Sequence, residues 1–392
     1  MAKPTIVLCL LCAMLAAVPT GAAARRAAPA RAVHTAATAD ALPTLSAQQQ
    51  NYLALAEAGV AKAKRFWRDG RLHWYDSRLG DRARYPLATI WDIVPLFEAI
   101  DAIAVARPTS ANLAAVRSFA AGAERYLNRG LRPVPGYSPY PGDRARTTET
   151  WFDDNGWWGI AFMNAYRATG SRRYLLDAER ALRYVAGAGW DRRSGGIWWD
   201  TTHPYKSGPA LASDTLLAVL LYERTRSPFA LEQARRFLTY ANGPGFSAAN
   251  GLYAGSSVNP DPADYLEAPL IYAQALLCRL TATPAECTRA DELKATALRR
   301  FGYLIDFSPQ YDAIYLQWML ALSALEGDHA LYTLATDNAR NAAARSADGR
   351  GLYLLSWNGE TLPRSDAQPG MLQTQAATTS LFAWLAVYPP SP

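Results

Sequence analysis

Two adjacent carboxylic acids, Asp153 and Asp154, are the residues whose type and spacing best suit chemistry in this chain of 392 residues. They lie within an aromatic segment, Trp151-Phe152-Asp153-Asp154-Asn155-Gly156-Trp157-Trp158. Cleavage of a glycosidic bond needs such a pair, with one carboxyl ionised and the other protonated. The nearby like charge and the apolar rings would both raise a pKa, which would prepare a general acid. The pair is therefore the predicted catalytic centre.

The position of the pair at the start of a helix decides whether the two carboxyls can act together. Adjacent residues within a regular helix diverge by about 100°. We expect Asp154 to be the N-cap and Asp153 to be extended before it, so that both side chains face one cleft. The alternative is that Asp154 only caps the helix while Asp153 is solvated beside it.

A second aromatic segment, Gly195-Gly196-Ile197-Trp198-Trp199, predicts a glycine turn that presents two indoles to the face of a sugar ring. Lys206 follows and could donate hydrogen bonds to hydroxyl groups. The alternatives are that the indoles pack in the core and that Lys206 lies at the surface. The acidic residues between 261 and 267 match no EF-hand spacing, and their prolines indicate turns rather than a calcium site.

Composition and motifs argue against other chemistries. Forty basic and 34 acidic residues give a net charge of +6, but the basic residues are scattered, so nucleic acid is not an expected partner. The four histidines lie far apart, and the sequence has no phosphate-binding loop, dinucleotide fingerprint or serine-hydrolase elbow. We therefore predict neither a metal nor a cofactor. The 12 Trp and 21 Tyr residues instead suit a cleft that stacks sugars.

The apolar residues from Leu45 onward recur at helical spacing, and strand-like alternation is nearly absent, which predicts an all-α fold. One helix is predicted to end near Gly170, and its partner to run from Ser171 to the glycines at 187 and 189. This hairpin returns 56 residues later with six identical residues, and more faintly at the next interval. Residues 45–392 have room for about six hairpins, which predicts one domain, an (α/α)6 barrel. An open solenoid of helix pairs is the alternative.

The N-terminus has the pattern of a signal peptide over residues 1–24, followed by a disordered lead-in over residues 25–44. A membrane anchor is the alternative, although the apolar run is shorter than a bilayer requires. Cleavage would leave Cys278 and Cys287, and an exported, oxidising setting predicts a disulfide between them rather than two free thiols. We therefore expect a secreted or periplasmic protein.

Three segments in this order resemble glycoside hydrolase family 76, a family of endo-α-1,6-mannanases with an (α/α)6 barrel. Residues 151–158 resemble its aromatic-aromatic-Asp-Asp-x-x-Trp motif. Residues 166–178 resemble its Tyr-x-x-Thr-Gly hairpin, and residues 195–206 resemble its Gly-Gly-x-x-Trp turn with a following Lys. The similarity extends over most of residues 60–385, and its most specific part is residues 151–206.

The resemblance implies a glycoside hydrolase that acts on α-mannosidic linkages, α-1,6-mannan being the expected substrate, with a retaining mechanism. Asp153 would be the nucleophile that forms a glycosyl-enzyme intermediate, and Asp154 the acid that protonates the leaving oxygen and then activates water. The expected substrate-binding residues are Trp151, Asn155, Trp157, Trp198, Trp199, Lys206, Tyr265 and Glu267.

The chain departs from the family pattern in three places. Tyr265-Leu266-Glu267-Ala268 replaces the usual Tyr-Asn-Gln-Gly, Tyr311-Asp312-Ala313 replaces Phe-Lys-Gly, and Ser207 replaces the Asn after the Lys. These changes predict altered substrate contacts, and Glu267 suggests a charged or aminated glycan. A glycan-binding protein without turnover, a transglycosylase and a polysaccharide lyase are the alternatives on this scaffold. We expect a monomer whose partner is a polysaccharide or an oligosaccharide.

Overall fold

The computed structural model of the chain describes residues 44–81, 83, 86–248, 250–303, 308–362 and 370–390. The predicted signal peptide and all but the last residue of the predicted lead-in lie outside these residues. The described residues form twelve α-helices: α1 (Ala47–Trp67), α2 (Ile90–Ala106), α3 (Ser110–Ala123), α4 (Phe152–Thr169), α5 (Arg172–Tyr184), α6 (Gly208–Thr225), α7 (Pro228–Ala241), α8 (Asp264–Thr281), α9 (Pro284–Phe301), α10 (Pro309–Glu326), α11 (His329–Arg345) and α12 (Leu372–Val387).

The remaining regular structure of the described residues is short. Strand β1 (Arg68–Asp69) pairs with β2 (Trp74–Tyr75), and β3 (Leu127–Asn128) pairs with β4 (Gly136–Tyr137), both antiparallel. The prediction of an all-α chain is confirmed for the described residues. None of their helices is long and apolar enough to cross a membrane.

The even-numbered helices pack side by side in chain order, and α12 also packs against α2. Helices α3, α5, α7, α9 and α11 each pack mainly on the helix that precedes them, whereas α1 packs on α12. The first and last helices therefore make the sixth pair. The burial of the helices agrees with this arrangement, because α12 is buried from Leu372 to Ala386, whereas α5 buries one face that includes Tyr174, Ala178 and Leu182.

The repeat read from the sequence is present in the structure. Helices α4, α6 and α8 each have 18 residues and begin 56 residues apart, at positions 152, 208 and 264. Each ends with a threonine whose hydroxyl donates to the carbonyl four residues earlier, at Thr169, Thr225 and Thr281. The residue after each threonine has left-handed backbone geometry. Three consecutive hairpins thus turn in the same way.

The hairpin boundaries match those expected from the sequence. Helix α4 ends before Gly170, whose φ of 68° suits glycine, and Ser171 precedes α5. A single π-helical turn, Val185–Gly189, extends α5 to the predicted glycines. In the third hairpin the Sγ atoms of Cys278 and Cys287 lie 2.00 Å apart, so a disulfide links α8 to α9.

Candidate active site

A cavity of about 220 Å³ opens where the N-terminal ends of α2, α4, α8 and α10 meet. Residues from the C-terminal halves of α4, α6, α8, α10 and α12 line a separate cavity of about 250 Å³. These helices therefore run in the same direction, and their N-termini lie at one end of the molecule. The cavity at that end is lined by Thr89, Trp91, Trp151, Asp153, Asp154, Trp199, Tyr265 and Tyr311.

Asp153 and Asp154 reach this cavity from a helix start that differs from the predicted one. Trp151, not Asp154, is the N-cap residue of α4, and its side chain makes no capping bond. The extended backbone of Trp151 pairs with Asp200, and the Phe152 N–H donates to the Trp199 carbonyl at 3.1 Å. This pairing fixes the chain direction before Phe152, so the helix begins three residues earlier than expected. The two acids are its second and third residues, and both still line the cavity.

Burial dominates the electrostatics of the pair, since Asp153 and Asp154 are only 6% and 5% exposed. Burial and the negative charge of Asp200 raise the pKa of Asp153 to about 7, although backbone N–H groups at the helix start favour its ionised form. Burial, Asp153 and Asp92 raise the pKa of Asp154 well above its usual range. One carboxyl of the pair is therefore the stronger acid, and the other holds its proton at neutral pH.

Aromatic rings form two walls beside the carboxyls. On one side, the ring centroids of Tyr265 and Tyr311 are 4.7 Å apart, and Trp91 lies 6.3 Å and 6.0 Å from them. On the other side, Trp199 stacks on Tyr205 with centroids 5.9 Å apart. Flat rings beside buried acids suit a ligand with an apolar face and polar edges, as a sugar ring has.

Five of the eight expected substrate-binding residues do not line this cavity, and three of these five lie inside the fold. Asn155 is fully buried: it accepts from the Tyr137 N–H at 2.8 Å and donates to the Tyr137 and Trp151 carbonyls. Trp157 is buried one helical turn below the cavity, where it lines a small internal void. Glu267 is also fully buried and accepts from the Tyr253 N–H at 2.8 Å. The side chains of Asn155, Trp157 and Glu267 thus make their contacts inside the fold.

Trp198 and Lys206 form a separate contact beside the cavity. Lys206 Nζ lies 3.1 Å from the centre of the Trp198 ring and 2.5 Å from an Asp191 oxygen. The lysine and neighbouring side chains hold the pKa of Asp191 well below its usual range. The ammonium group of Lys206 is thus held by Asp191 and by the Trp198 ring. Lys206 does not line the cavity. Of the expected substrate-binding residues, Trp151, Trp199 and Tyr265 line the cavity.

The sequence interpretation missed two cavity residues, Thr89 and Trp91, as substrate contacts, and it named Tyr311 only within a departure from the family pattern. Trp91 is the second residue of α2, and Tyr311 is the third residue of α10. Asp153, Asp154 and Tyr265 occupy the same positions on their own helices. The position of a residue as the second or third of an even-numbered helix was therefore the sequence signal that could have identified these cavity residues. Within the described ranges, no cluster of three His, Cys, Asp or Glu residues could hold a metal ion.

The described residues thus form an α-helical protein of six helix pairs. A cavity lined by aromatic rings and by two buried carboxyls lies at one end of the helices. Comparison with known families agrees with the resemblance seen in the sequence. The family model "Glycosyl hydrolase family 76" matches residues 134–298, which include both aromatic segments and the carboxyl pair. The resemblance to this family is thus confirmed. A search of curated protein sequences finds no match.

Solved structures with the same fold include members of that family. A family 76 α-mannanase from Bacteroides thetaiotaomicron matches with a TM-score of 0.76 and 18% identity, covering 87% of this chain and 97% of that one. An inactive α-1,6-mannanase variant from Salegentibacter in complex with α-1,6-mannotetrose matches with a TM-score of 0.69 and 17% identity, covering 86% and 99%. Dfg5 from Chaetomium thermophilum in complex with glucosamine matches with a TM-score of 0.69 and 14% identity, covering 90% and 94%.

Proposed function

We propose that the chain is a glycoside hydrolase that cleaves α-mannosidic linkages, with α-1,6-mannan as its substrate. The observation that carries this proposal is the buried pair Asp153 and Asp154 at the floor of an aromatic cavity. The two groups differ in proton affinity, as a nucleophile and an acid must. The match to the family 76 model supports the reaction class.

The environments of the two acids support distinct roles. Asp153 accepts backbone N–H groups at the positive end of α4, which favours its carboxylate form and suits a nucleophile. Asp154 has the higher pKa because burial, and after it the charges of Asp153 and Asp92, oppose its ionisation. It would therefore donate the proton to the leaving oxygen and later take one from water, so that the anomeric configuration is retained.

The choice of α-1,6-mannan draws on the structural relatives. The Salegentibacter α-1,6-mannanase was inactivated by replacing two consecutive aspartates, and it binds α-1,6-mannotetrose. In the present chain a consecutive aspartate pair lies at the start of a helix in the same fold. The aromatic walls supply the flat surfaces against which neutral hexoses pack.

Three further properties belong to the proposal. The packing of α12 against both α1 and α2 supports a closed (α/α)6 barrel as a single domain over residues 45–392. The disulfide between Cys278 and Cys287 supports an oxidising, secreted or periplasmic location, reached with residues 1–24 as a signal peptide. We further propose that the enzyme acts as a monomer and without a cofactor.

The test is reducing-end release from an α-1,6-mannan backbone by the mature protein, with Asp153→Asn and Asp154→Asn measured beside it. Asp261→Asn, which removes an exposed carboxyl, is the control for the loss of one charge. Release that both active-site variants abolish and the control retains would support the proposal. Proton NMR of the first product would then show whether the α-anomer appears first, as retention requires.

The alternatives give different results in the same assay. Mannan binding without release, unchanged by both substitutions, would indicate a glycan-binding protein and overturn the hydrolase. Longer oligosaccharides formed from short ones would indicate a transglycosylase. A product that absorbs in the ultraviolet would indicate a lyase.

A further inference from the structure

Two further buried aspartates adjoin Tyr265 and Tyr311, the two tyrosines of one cavity wall, which we call the tyrosine pair. Asp264 is the first residue of α8 and directly precedes Tyr265. Asp312 is the fourth residue of α10 and directly follows Tyr311. The two acids are only 2% and 1% exposed, and the ring centroids of the tyrosine pair lie 4.7 Å apart. Each aspartate is thus the backbone neighbour of one ring of the wall.

A hydrogen bond joins the carboxyls of Asp264 and Asp312 and so links α8 to α10. A carboxylate can only accept, so one of the two groups must carry a proton. Asp264 Oδ1 also accepts from the Tyr265 N–H at 2.7 Å, at the positive end of α8, which favours the carboxylate form of Asp264. Burial raises the pKa of Asp264 to about 6, and the hydrogen bond from Asp312 acts in the opposite direction. At neutral pH Asp264 is therefore the ionised acceptor and Asp312 the protonated donor.

The surroundings of this hydrogen bond disfavour a second negative charge. The titratable groups that interact with Asp264 are Asp312, Glu267, Tyr265 and Tyr315. Burial raises the pKa of Glu267 to about 8, although the charge of Arg289 on α9 acts in the opposite direction. Asp153, across the cavity, also acts on Tyr265. Loss of the shared proton would therefore leave two carboxylates side by side in a buried, acidic place.

We propose that Asp264 and Asp312 are positioning residues, which hold the tyrosine pair in place for the sugar through one shared proton. The inference rests on the proposed function, since it takes the cavity to be the place where the glycan binds. Two carboxylates would repel each other and separate the first turns of α8 and α10, and the adjoining rings would move with them. Asp312 lies where the chain departs from the family pattern, which has Lys at this place. The carboxyl pair is therefore a feature of this chain rather than of that pattern.

Calorimetric titration with α-1,6-mannotetraose tests the proposal in protein that carries both Asp153→Asn and Asp154→Asn. We call this protein the background, because it excludes turnover and titration of the catalytic pair. Adding Asp312→Ala removes the hydrogen bond and should raise the dissociation constant about tenfold. Adding Asp312→Asn instead supplies an amide N–H to Asp264 and should keep the constant within about twofold. Glu232→Ala, which removes an exposed carboxyl on α7, is the control. An affinity that Asp312→Ala leaves unchanged, or that Asp312→Asn lowers equally, would overturn the proposal.

The pH dependence of affinity tests the shared proton even if Asp312→Ala does not fold. The asparagine amide donates at every pH, whereas the aspartate donates only while it is protonated. As pH rises from about 6 to about 9, the background should lose affinity, and the background with Asp312→Asn should keep it. Parallel curves for these two proteins would show that no shared proton supports binding and would contradict the proposal.

A measurement without ligand separates this inference from the function on which it rests. Near-ultraviolet circular dichroism reports the mutual orientation of close aromatic rings such as the tyrosine pair. If Asp312→Ala changes this signal, Asp312→Asn restores it and no mannoside is bound or cleaved, the hydrolase fails while the positioning pair stands. If α-1,6-mannan is cleaved but Asp312→Ala changes neither the signal nor the affinity, the positioning pair fails and the hydrolase stands.

Discussion

The backbone of Asp200 pairs with that of Trp151, the residue immediately before α4. Beside this bridge the Phe152 N–H donates to the Trp199 carbonyl. The two aromatic segments recognised in the sequence are therefore one backbone unit at the start of the helix that carries the acids. Trp199 lines the cavity because its backbone is hydrogen-bonded to the start of α4. The same pairing brings the charge of Asp200 close enough to raise the pKa of Asp153.

Asp92→Asn should move the alkaline limb of the pH profile of kcat/KM to lower pH. The charge of Asp92 helps to raise the pKa of Asp154, so its removal lowers that pKa. The protonated form of the acid is then lost at a lower pH, while the acid limb, set by Asp153, stays near its wild-type position. Profiles for the wild type, Asp92→Asn and the exposed control Asp261→Asn check this. An alkaline limb that stays in place would contradict the influence of Asp92.

Asn155→Ala should lower the stability of the protein. The buried side chain joins α4 to the Tyr137 backbone through three hydrogen bonds, and its loss leaves buried backbone groups without partners. We expect the free energy of unfolding to fall by about 2 kcal/mol or more. Denaturant unfolding gives the value. Unchanged unfolding together with a raised KM would instead support the substrate contact expected from the sequence.

Asp101→Asn should weaken the pH dependence of stability. Burial and the charge of Glu98 raise the pKa of Asp101 well above its usual range, and neither carboxyl oxygen has a partner in the described part of the chain. The folded state therefore keeps a proton that the unfolded state loses above about pH 4. Each such group lowers the free energy of unfolding by about 1.4 kcal/mol per pH unit until its folded pKa is reached.

Denaturant unfolding of the wild type and Asp101→Asn at several pH values measures this effect. The variant should gain on the wild type as pH rises from about 4 to about 7, since asparagine does not ionise. Parallel curves across that range would show that Asp101 does not take up a proton on folding.

Replacing both Cys278 and Cys287 with serine should lower stability and leave hydrolysis intact. The disulfide closes a short loop with a sequence separation of 9, for which chain entropy predicts a loss of about 2.7 kcal/mol. Cys278 lies near the C-terminal end of α8, whereas Tyr265 lines the cavity from the other end. Thermal unfolding and mannan hydrolysis are the two measurements. A large loss of activity in a folded variant would show that the bond acts on the cavity.

The repeated hairpins were predictable because their signals are local. Thr169, Thr225 and Thr281 recur at one interval, and each closes its helix with the same hydrogen bond. Asp153 and Asp154 were found for a similar reason, since two acids among aromatic residues stand out within eight positions. Their helical geometry was not foreseen, because the start of α4 depends on pairing with residues near 200.

Trp91 and Tyr311 show where local reasoning stops. Trp91 is a single aromatic residue at a helix start without a motif around it, and Tyr311 lies where the chain departs from the family pattern. The ring centroids of Trp91 and Tyr311 are 6.0 Å apart because α2 and α10 both begin at the same end of the molecule. Glu267 shows a different limit of local reasoning: this carboxyl in a motif-like position is buried and accepts from the Tyr253 N–H.

The packing of α12 on both α1 and α2 also has a consequence for biosynthesis. Until the ribosome has released residues 372–387, the nascent chain holds eleven of the twelve described helices and lacks the partner of the first two. Apolar surfaces of α1 and α2 then remain open to solvent and to chaperones. A stop codon that removes only the last helix would leave those surfaces permanently uncovered, and the truncated product would be prone to aggregate.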